Sequence, residues 1–195
     1  MWIKICGMTT PTAVAAALEA GADAIGFVFA DSVRRVTPQL ATRLATPARG
    51  RVPCVAVIRQ ATQRQLDCIL ADFAPDVLQA DLDDLARLTL PRALGLLAVV
   101  RAGAAPPHPP PARVLFEGPV SGTGVPCDWG RARAYAQQTQ LVLAGGLNAR
   151  NVTEAIRVVR PFGVDVSSGV EEKPGVKSAP EIGRFVQAAR QEGTS

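Results

Sequence analysis

The sequence predicts a parallel α/β barrel of the (β/α)8 kind, and three observations lead there. Short apolar runs recur eight times along the 195 residues, at 2–6, 23–29, 52–58, 76–80, 94–100, 112–117, 140–144 and 163–167. Several are continuous rather than alternating, the pattern of strands covered on both faces, as parallel strands are. Between them lie helical patterns near 11–20, 38–46, 62–72, 82–88, 129–137, 149–159 and 179–191, so strand and helix alternate from end to end. Residues 1–195 read as a single compact domain, small for eight strand–helix units, so helices and connections must be short. A doubly wound open sheet is the alternative, but no Gly-x-Gly-x-x-Gly turn follows the first run to favour it.

The first run, Trp2-Ile3-Lys4-Ile5-Cys6, stops at Gly7 and reads as a strand ending in a turn. Side chains alternate along a strand, so Lys4 and Cys6 share one face, and an ammonium near a thiol is expected to lower its pKa. The alternative is a cysteine acting as a small hydrophobe at a strand end. Thr10-Pro11 starts the first helix and Gly21 stops it. The second strand, 23–29, runs into a loop carrying Ser32, Arg34 and Arg35, and the fourth ends Gln79-Ala80-Asp81.

Residues 101–111 hold Gly103 and five prolines, so an irregular loop is expected in place of the fifth crossover helix. Strand six ends at Glu117 after three apolar residues, where partial desolvation would favour the protonated carboxyl; a solvated loop glutamate is the alternative. Strand seven ends in Gly145-Gly146, with Asn148 before the next helix, and strand eight ends Asp165-Val166-Ser167-Ser168-Gly169. Glycine-bearing turns after the last two strands suit a phosphate cradle, because backbone N–H groups can approach an oxyanion there. Asp165 shares its strand face with Ser167 and is expected to accept hydrogen bonds near the barrel mouth. The chain ends in a polar tail, Gln191–Ser195, expected to fray.

Composition narrows the chemistry. With 48% hydrophobic and 19% charged residues the chain is globular, and no run is apolar for long enough to cross a bilayer, so no membrane partner is expected. Met1 leads straight into the first strand without a signal region, and a cytoplasmic location is expected. The four cysteines, Cys6, Cys54, Cys68 and Cys127, form no C-x-x-C pair and suggest neither disulfides nor zinc. The single histidine, His108, sits in a proline tract and reads as a surface loop residue, which removes histidine catalysis and a histidine metal cluster. Acid–base work therefore falls to Cys, Asp, Glu or Lys. A net charge of +4 suits an anionic small molecule, and the Arg34-Arg35 pair lacks the aromatic platforms of a nucleic-acid site.

These residues resemble the phosphoribosylanthranilate isomerase family of tryptophan biosynthesis. The matching segments are Lys4-Ile5-Cys6-Gly7-Met8-Thr9, Gly21 to Phe29, Ser32-Val33-Arg34, Gly122-Thr123-Gly124 with Asp128-Trp129, Leu143 to Leu147, and Val164 to Glu171 with Gly175 and Lys177. Each is weak alone, but the ordered set spans nearly the whole chain. The resemblance implies the (β/α)8 TIM barrel and an Amadori rearrangement of N-(5-phosphoribosyl)anthranilate to carboxyphenylamino-deoxyribulose phosphate. It also implies Cys6 as general base, Glu117 as general acid with Asp165 as the alternative, and substrate contacts from Lys4, Arg34, Asp81 and Asp165. Phosphate is expected at Gly145, Gly146, Ser168 and Gly169. No metal or organic cofactor is implied, and a monomer is the default.

Three departures stand out. Glu117 occupies a position where the family usually has aspartate, and Asp81 one where it commonly has histidine. An aspartate there would repel the substrate carboxylate unless a cation intervened, and Arg34 is the expected cation, with Arg35 the alternative match. Ser178 replaces a usual aspartate and is expected to affect only a helix cap. Two other readings are a related histidine-pathway ketol isomerase, which typically has aspartate where Cys6 stands, and an inactive barrel that only binds phosphosugars or a partner protein.

Overall fold

The computed structural model describes residues 1–101, 103, 109–118 and 127–192. Eight parallel strands close into one barrel in sequence order: β1 (Trp2–Cys6), β2 (Ala24–Val28), β3 (Cys54–Val57), β4 (Val77–Asp81), β5 (Gly95–Arg101), β6 (Arg113–Glu117), β7 (Gln140–Leu143) and β8 (Gly163–Val166). Among the described residues seven α-helices surround it: α1 (Pro11–Glu19), α2 (Pro38–Ala45), α3 (Gln63–Asp72), α4 (Leu82–Arg87), α5 (Trp129–Ala136), α6 (Val152–Val159) and α7 (Ala179–Glu192). The closed ring excludes the open doubly wound sheet.

Two separate cores follow from strand alternation. One set of side chains, including Ile3, Ile5, Phe27, Leu78 and Phe116, is fully buried between barrel wall and helices. Each such side chain contributes about 1.5–3 kcal/mol of burial free energy. The opposite set points inward, where Leu97, Val99, Leu115, Val142 and Ala144 fill the barrel and Trp2 and Val77 pack against them. This inward phase also carries Lys4, Cys6, Asp81, Arg101, Glu117 and Asp165, because each is an even number of residues from an inward neighbour on its own strand.

Helix starts are built as their sequence suggests. Thr10 and Thr37 accept hydrogen bonds from Ala13 N and Leu40 N ahead of first-turn prolines, and Thr62 forms a reciprocal capping box with Gln65. Gly21 takes φ +83° just beyond α1, a conformation that favours glycine. The Ser178 hydroxyl accepts from Glu181 N, in keeping with a cap.

Three expectations change. Asn148 does not cap a helix: α6 starts at Val152, and the Asn148 carboxamide instead accepts from Arg150 N in the preceding turn. Gln191 and Glu192, expected to fray, are the last residues of α7, and the Glu192 carboxylate holds the Arg157 guanidinium at 2.7 and 2.9 Å; residues 193–195 lie outside the described residues. An additional antiparallel hairpin, β9 (Glu171–Lys173) and β10 (Val176–Lys177), follows β8.

Between β5 and β6 the described residues contain no helix, and a groove of about 700 Å3 lies beside them, bordered by Leu85 and Leu96. His108 and the remainder of that connection fall outside the described residues, as does Gly122-Thr123-Gly124. No helix among the described residues is long and apolar enough to cross a membrane.

Candidate active site

Two parallel strands build the base of the site. Lys4 on β1 lies opposite Asp165 on β8, and its Nζ donates to Asp165 Oδ1 at 2.7 Å with the lysine side chain fully buried. Cys6 follows on the same face, 6% exposed, opposite Gly26 of β2. A Cβ at Gly26 would stand 2.8 Å from Cys6 Sγ and 3.2 Å from Lys4 Nζ, so this glycine makes the hollow that holds thiol and ammonium together.

Electrostatics here set the expected lowering by Lys4 against burial, and burial wins. Burial pushes the Cys6 thiol above its ordinary pKa, and the neighbouring Lys4 and Lys177 ammonium groups offset that only in part. Burial alone would lower the Lys4 ammonium, yet Asp165 and Cys6 together hold it above its usual value. Lys4 therefore stays charged beside the thiol, where it offsets part of the burial cost of the thiolate form.

The hairpin supplies a second layer. Glu171 accepts both arms of the Arg34 fork at 2.7 Å each, Lys177 Nζ at 2.7 Å and Gly175 N at 3.1 Å. Burial opposes ionisation of Glu171, but these partners outweigh it and bring the carboxyl down to about 2. Lys177 also donates to the Ser167 carbonyl and hydroxyl, and Ser167 Oγ donates to the Cys6 carbonyl at 3.1 Å. The Arg34 side chain passes over Gly7, where a Cβ would meet Arg34 Cδ at 2.7 Å. Arg34 therefore reaches the Cys6 neighbourhood. Arg35 instead lines a cavity of about 610 Å3 with Phe29, Pro38 and Cys68, outward of the barrel interior.

A third group crosses the mouth on β4, β5 and β6. Glu117, its side chain 12% exposed, accepts from Arg101 Nη2 at 3.0 Å, and Arg101 Nη1 pairs with Asp81. Arg59 Nε stands 3.8 Å from the same aspartate. The cations beside Asp81 are thus Arg101 and Arg59. Arg34, the expected partner, is held by Glu171 instead. Sequence reasoning missed Arg101, although its parity with Leu97 and Val99 marks it as an inward cation at a strand end. It also missed the clamp that Glu171 and Lys177 form.

The two glycine turns do come together. Gly145 and Gly146 take φ +87° and +67°, and the Asn151 carboxamide donates to the Gly146 carbonyl. Gly169, in a single 3-10 turn spanning Ser168–Val170, passes so close to the first turn that a Cβ on it would fall 1.9 Å from the Leu147 carbonyl oxygen. Among the described residues no group of three His, Cys, Asp or Glu side chains has the arrangement to hold a metal.

Cys6 and Glu117 thus both face the interior at the carboxyl ends of β1 and β6. Between them the ring presents β7 and β8, followed by the small inward residues Ala144 and Ser167. A parallel barrel that brings a thiol, a carboxyl and two lysines to the carboxyl ends of its strands has the groups that acid–base chemistry on a small molecule requires. Residues 3–188 match the family profile of N-(5'-phosphoribosyl)anthranilate (PRA) isomerase. An N-(5'-phosphoribosyl)anthranilate isomerase from Afipia carboxidovorans is 39% identical, the match covering 99% of this chain and 91% of that one. The crystal structure of TrpF from Jonesia denitrificans superimposes with a TM-score of 0.83 at 35% identity, covering 98% of each chain. A phosphoribosyl anthranilate isomerase solved with reduced 1-(o-carboxyphenylamino)-1-deoxyribulose 5-phosphate gives a TM-score of 0.80 at 28% identity, covering 98% of this chain and 99% of that one. The chain belongs to the N-(5'-phosphoribosyl)anthranilate isomerase family, and is an enzyme of the isomerase class.

Proposed function

We propose that the protein converts N-(5'-phosphoribosyl)anthranilate to 1-(2-carboxyphenylamino)-1-deoxyribulose 5-phosphate, an Amadori rearrangement in tryptophan biosynthesis, with Glu117 as acid and Cys6 as base. The observation that carries this reading is the shared inward phase of the two groups at the carboxyl ends of β1 and β6. Glu117 gives its proton to the furanose ring oxygen. The C1–O bond breaks as the amine nitrogen lone pair forms the C1=N bond. The Cys6 thiolate then removes the C2 proton, its electron pair forms C1=C2, and the C1=N pair returns to nitrogen. The enolamine tautomerises as the C2 hydroxyl proton leaves and C1 gains a proton, giving the ketone.

Lys4 stabilises the thiolate while Asp165 holds that lysine in place, so Asp165 works through Lys4 rather than as the acid. The turns at Gly145-Gly146 and Ser168-Gly169 offer backbone N–H groups to the phosphate. The substrate carboxylate goes to Arg34, displacing or sharing the fork that Glu171 holds, and Lys177 keeps Glu171 paired when it does. A relative solved with the reduced product-type ligand supports binding of such a small molecule in the same fold. No cofactor takes part in this scheme, and a monomeric, cytoplasmic enzyme completes it.

Fluorescence of the anthranilate moiety provides the test. Wild-type protein should turn over the substrate. Cys6→Ser and Glu117→Gln should each lose at least ~100-fold in kcat, the scale of a positioned acid or base. Phosphosugar binding without turnover in the wild type would instead establish the inactive barrel.

A further inference from the structure

We propose that Asp81 is a charge-balancing and positioning residue for the Glu117 proton donor, acting through Arg101 rather than on the substrate. The inference rests on the reading of Glu117 as the general acid. The three residues end consecutive strands, and the stagger of the barrel places Arg101 directly beside Glu117 while Asp81 pairs with Val99 one step back. The Arg101 guanidinium spans that step, with one amino group on Glu117 at 3.0 Å and the other on Asp81. A rigid fork shared in this way fixes both carboxyl groups at once. Asp81 is also the residue preceding α4, but its side chain makes no capping bond there, so its carboxylate is committed to the barrel interior.

Chemistry gives the arrangement its purpose. An unbalanced guanidinium against Glu117 would favour the carboxylate, which has no proton to give. An opposing carboxylate on the same guanidinium largely cancels that field, yet leaves the N–H that orients Glu117. Partial burial strengthens both effects, since the side chains of Asp81 and Arg101 are 22% exposed and that of Glu117 12%. The other groups facing this cluster among the described residues are Arg59, half-exposed and 3.8 Å from Asp81, and Cys127. Burial pushes the Cys127 thiol to about 11, so it adds no charge at neutral pH. The Arg101 tether sets where the Glu117 arm ends.

Carbon-detected NMR of carboxyl-labelled protein tests this without depending on turnover, with Glu117→Gln identifying the Glu117 signal. Asp81→Asn should lower the Glu117 titration midpoint by about one unit, and Arg101→Met should raise it by about one unit. Arg101→Lys, which keeps the charge, should stay within a few tenths of wild type and guards against a variant that fails to fold. In kinetics the fraction of Glu117 that carries a proton falls as pH rises through its midpoint, so the limb of the pH–kcat profile that Glu117 sets should move to lower pH in Asp81→Asn, with KM unchanged. An unmoved midpoint in Asp81→Asn, or an unmoved limb with KM raised ~10-fold, overturns the proposal and makes Asp81 a substrate contact. Full turnover in Glu117→Gln instead removes the acid role on which the inference rests, whatever the midpoints show.

Discussion

Lys4 is fully buried and still charged, which only a partner at hydrogen-bonding distance permits. Strand alternation in the sequence already put Lys4 and Cys6 on one face. It did not reveal that burial would outweigh the cation at Cys6, because desolvation depends on Gly26, Ser167 and Asp165 arriving from other strands. Gly26 belongs to this scale too. In Gly26→Ala the new methyl would overlap Cys6 Sγ and crowd Lys4 Nζ. Shifting the base by even ~1 Å lowers kcat 10- to 100-fold, and crowding costs about 1–3 kcal/mol. Steady-state kinetics with thermal unfolding checks this, and unchanged kcat would show that the thiol does not need the hollow.

At the scale of elements, the eight strands and the seven helices of the described residues were legible because the strands bury short apolar runs and the helices repeat apolar residues at helical spacing, three of them behind threonine caps. The β9–β10 hairpin was not legible. Its residues are mostly polar, and what orders it comes from elsewhere: Arg34 on the Glu171 carboxylate and the Val33 carbonyl close beside Gly175. The motif Glu171 with Gly175 and Lys177 was visible as letters, but its clamp on Arg34 was not. The clamp makes stability depend on pH. Glu171 titrates at about 2 in the folded protein, below its ordinary value, so its contribution is fully present above about pH 4.5 and is lost as pH falls toward 2. Urea denaturation from pH 7 to 3 should show wild type losing on the order of 1 kcal/mol more than Glu171→Gln, after allowance for solvent screening. Parallel losses in the two proteins would remove Glu171 from the acid response.

At the scale of the whole molecule, closure makes every strand depend on two neighbours, and the wall core and interior core share those strands. We therefore propose that residues 1–195 unfold as one unit. Tryptophan fluorescence, reporting Trp2 at the barrel floor and Trp129 at the start of α5, should give the same urea midpoint as far-ultraviolet circular dichroism. Sedimentation equilibrium should return the 20.4 kDa mass of a single chain. Separated midpoints or a doubled mass would refute the respective claim. The sequence by itself determined the alternation of strand and helix, the shared face of Lys4 and Cys6, the strand-end places of Glu117 and Asp165, and the glycine turns, since all of these follow from local periodicity and backbone freedom. Only the tertiary structure decided which charges meet: Arg34 with Glu171, Lys4 with Asp165, and Arg101 between Asp81 and Glu117. Those pairings depend on barrel stagger and on how far each side chain leaves water, and neither is written in any one stretch of chain.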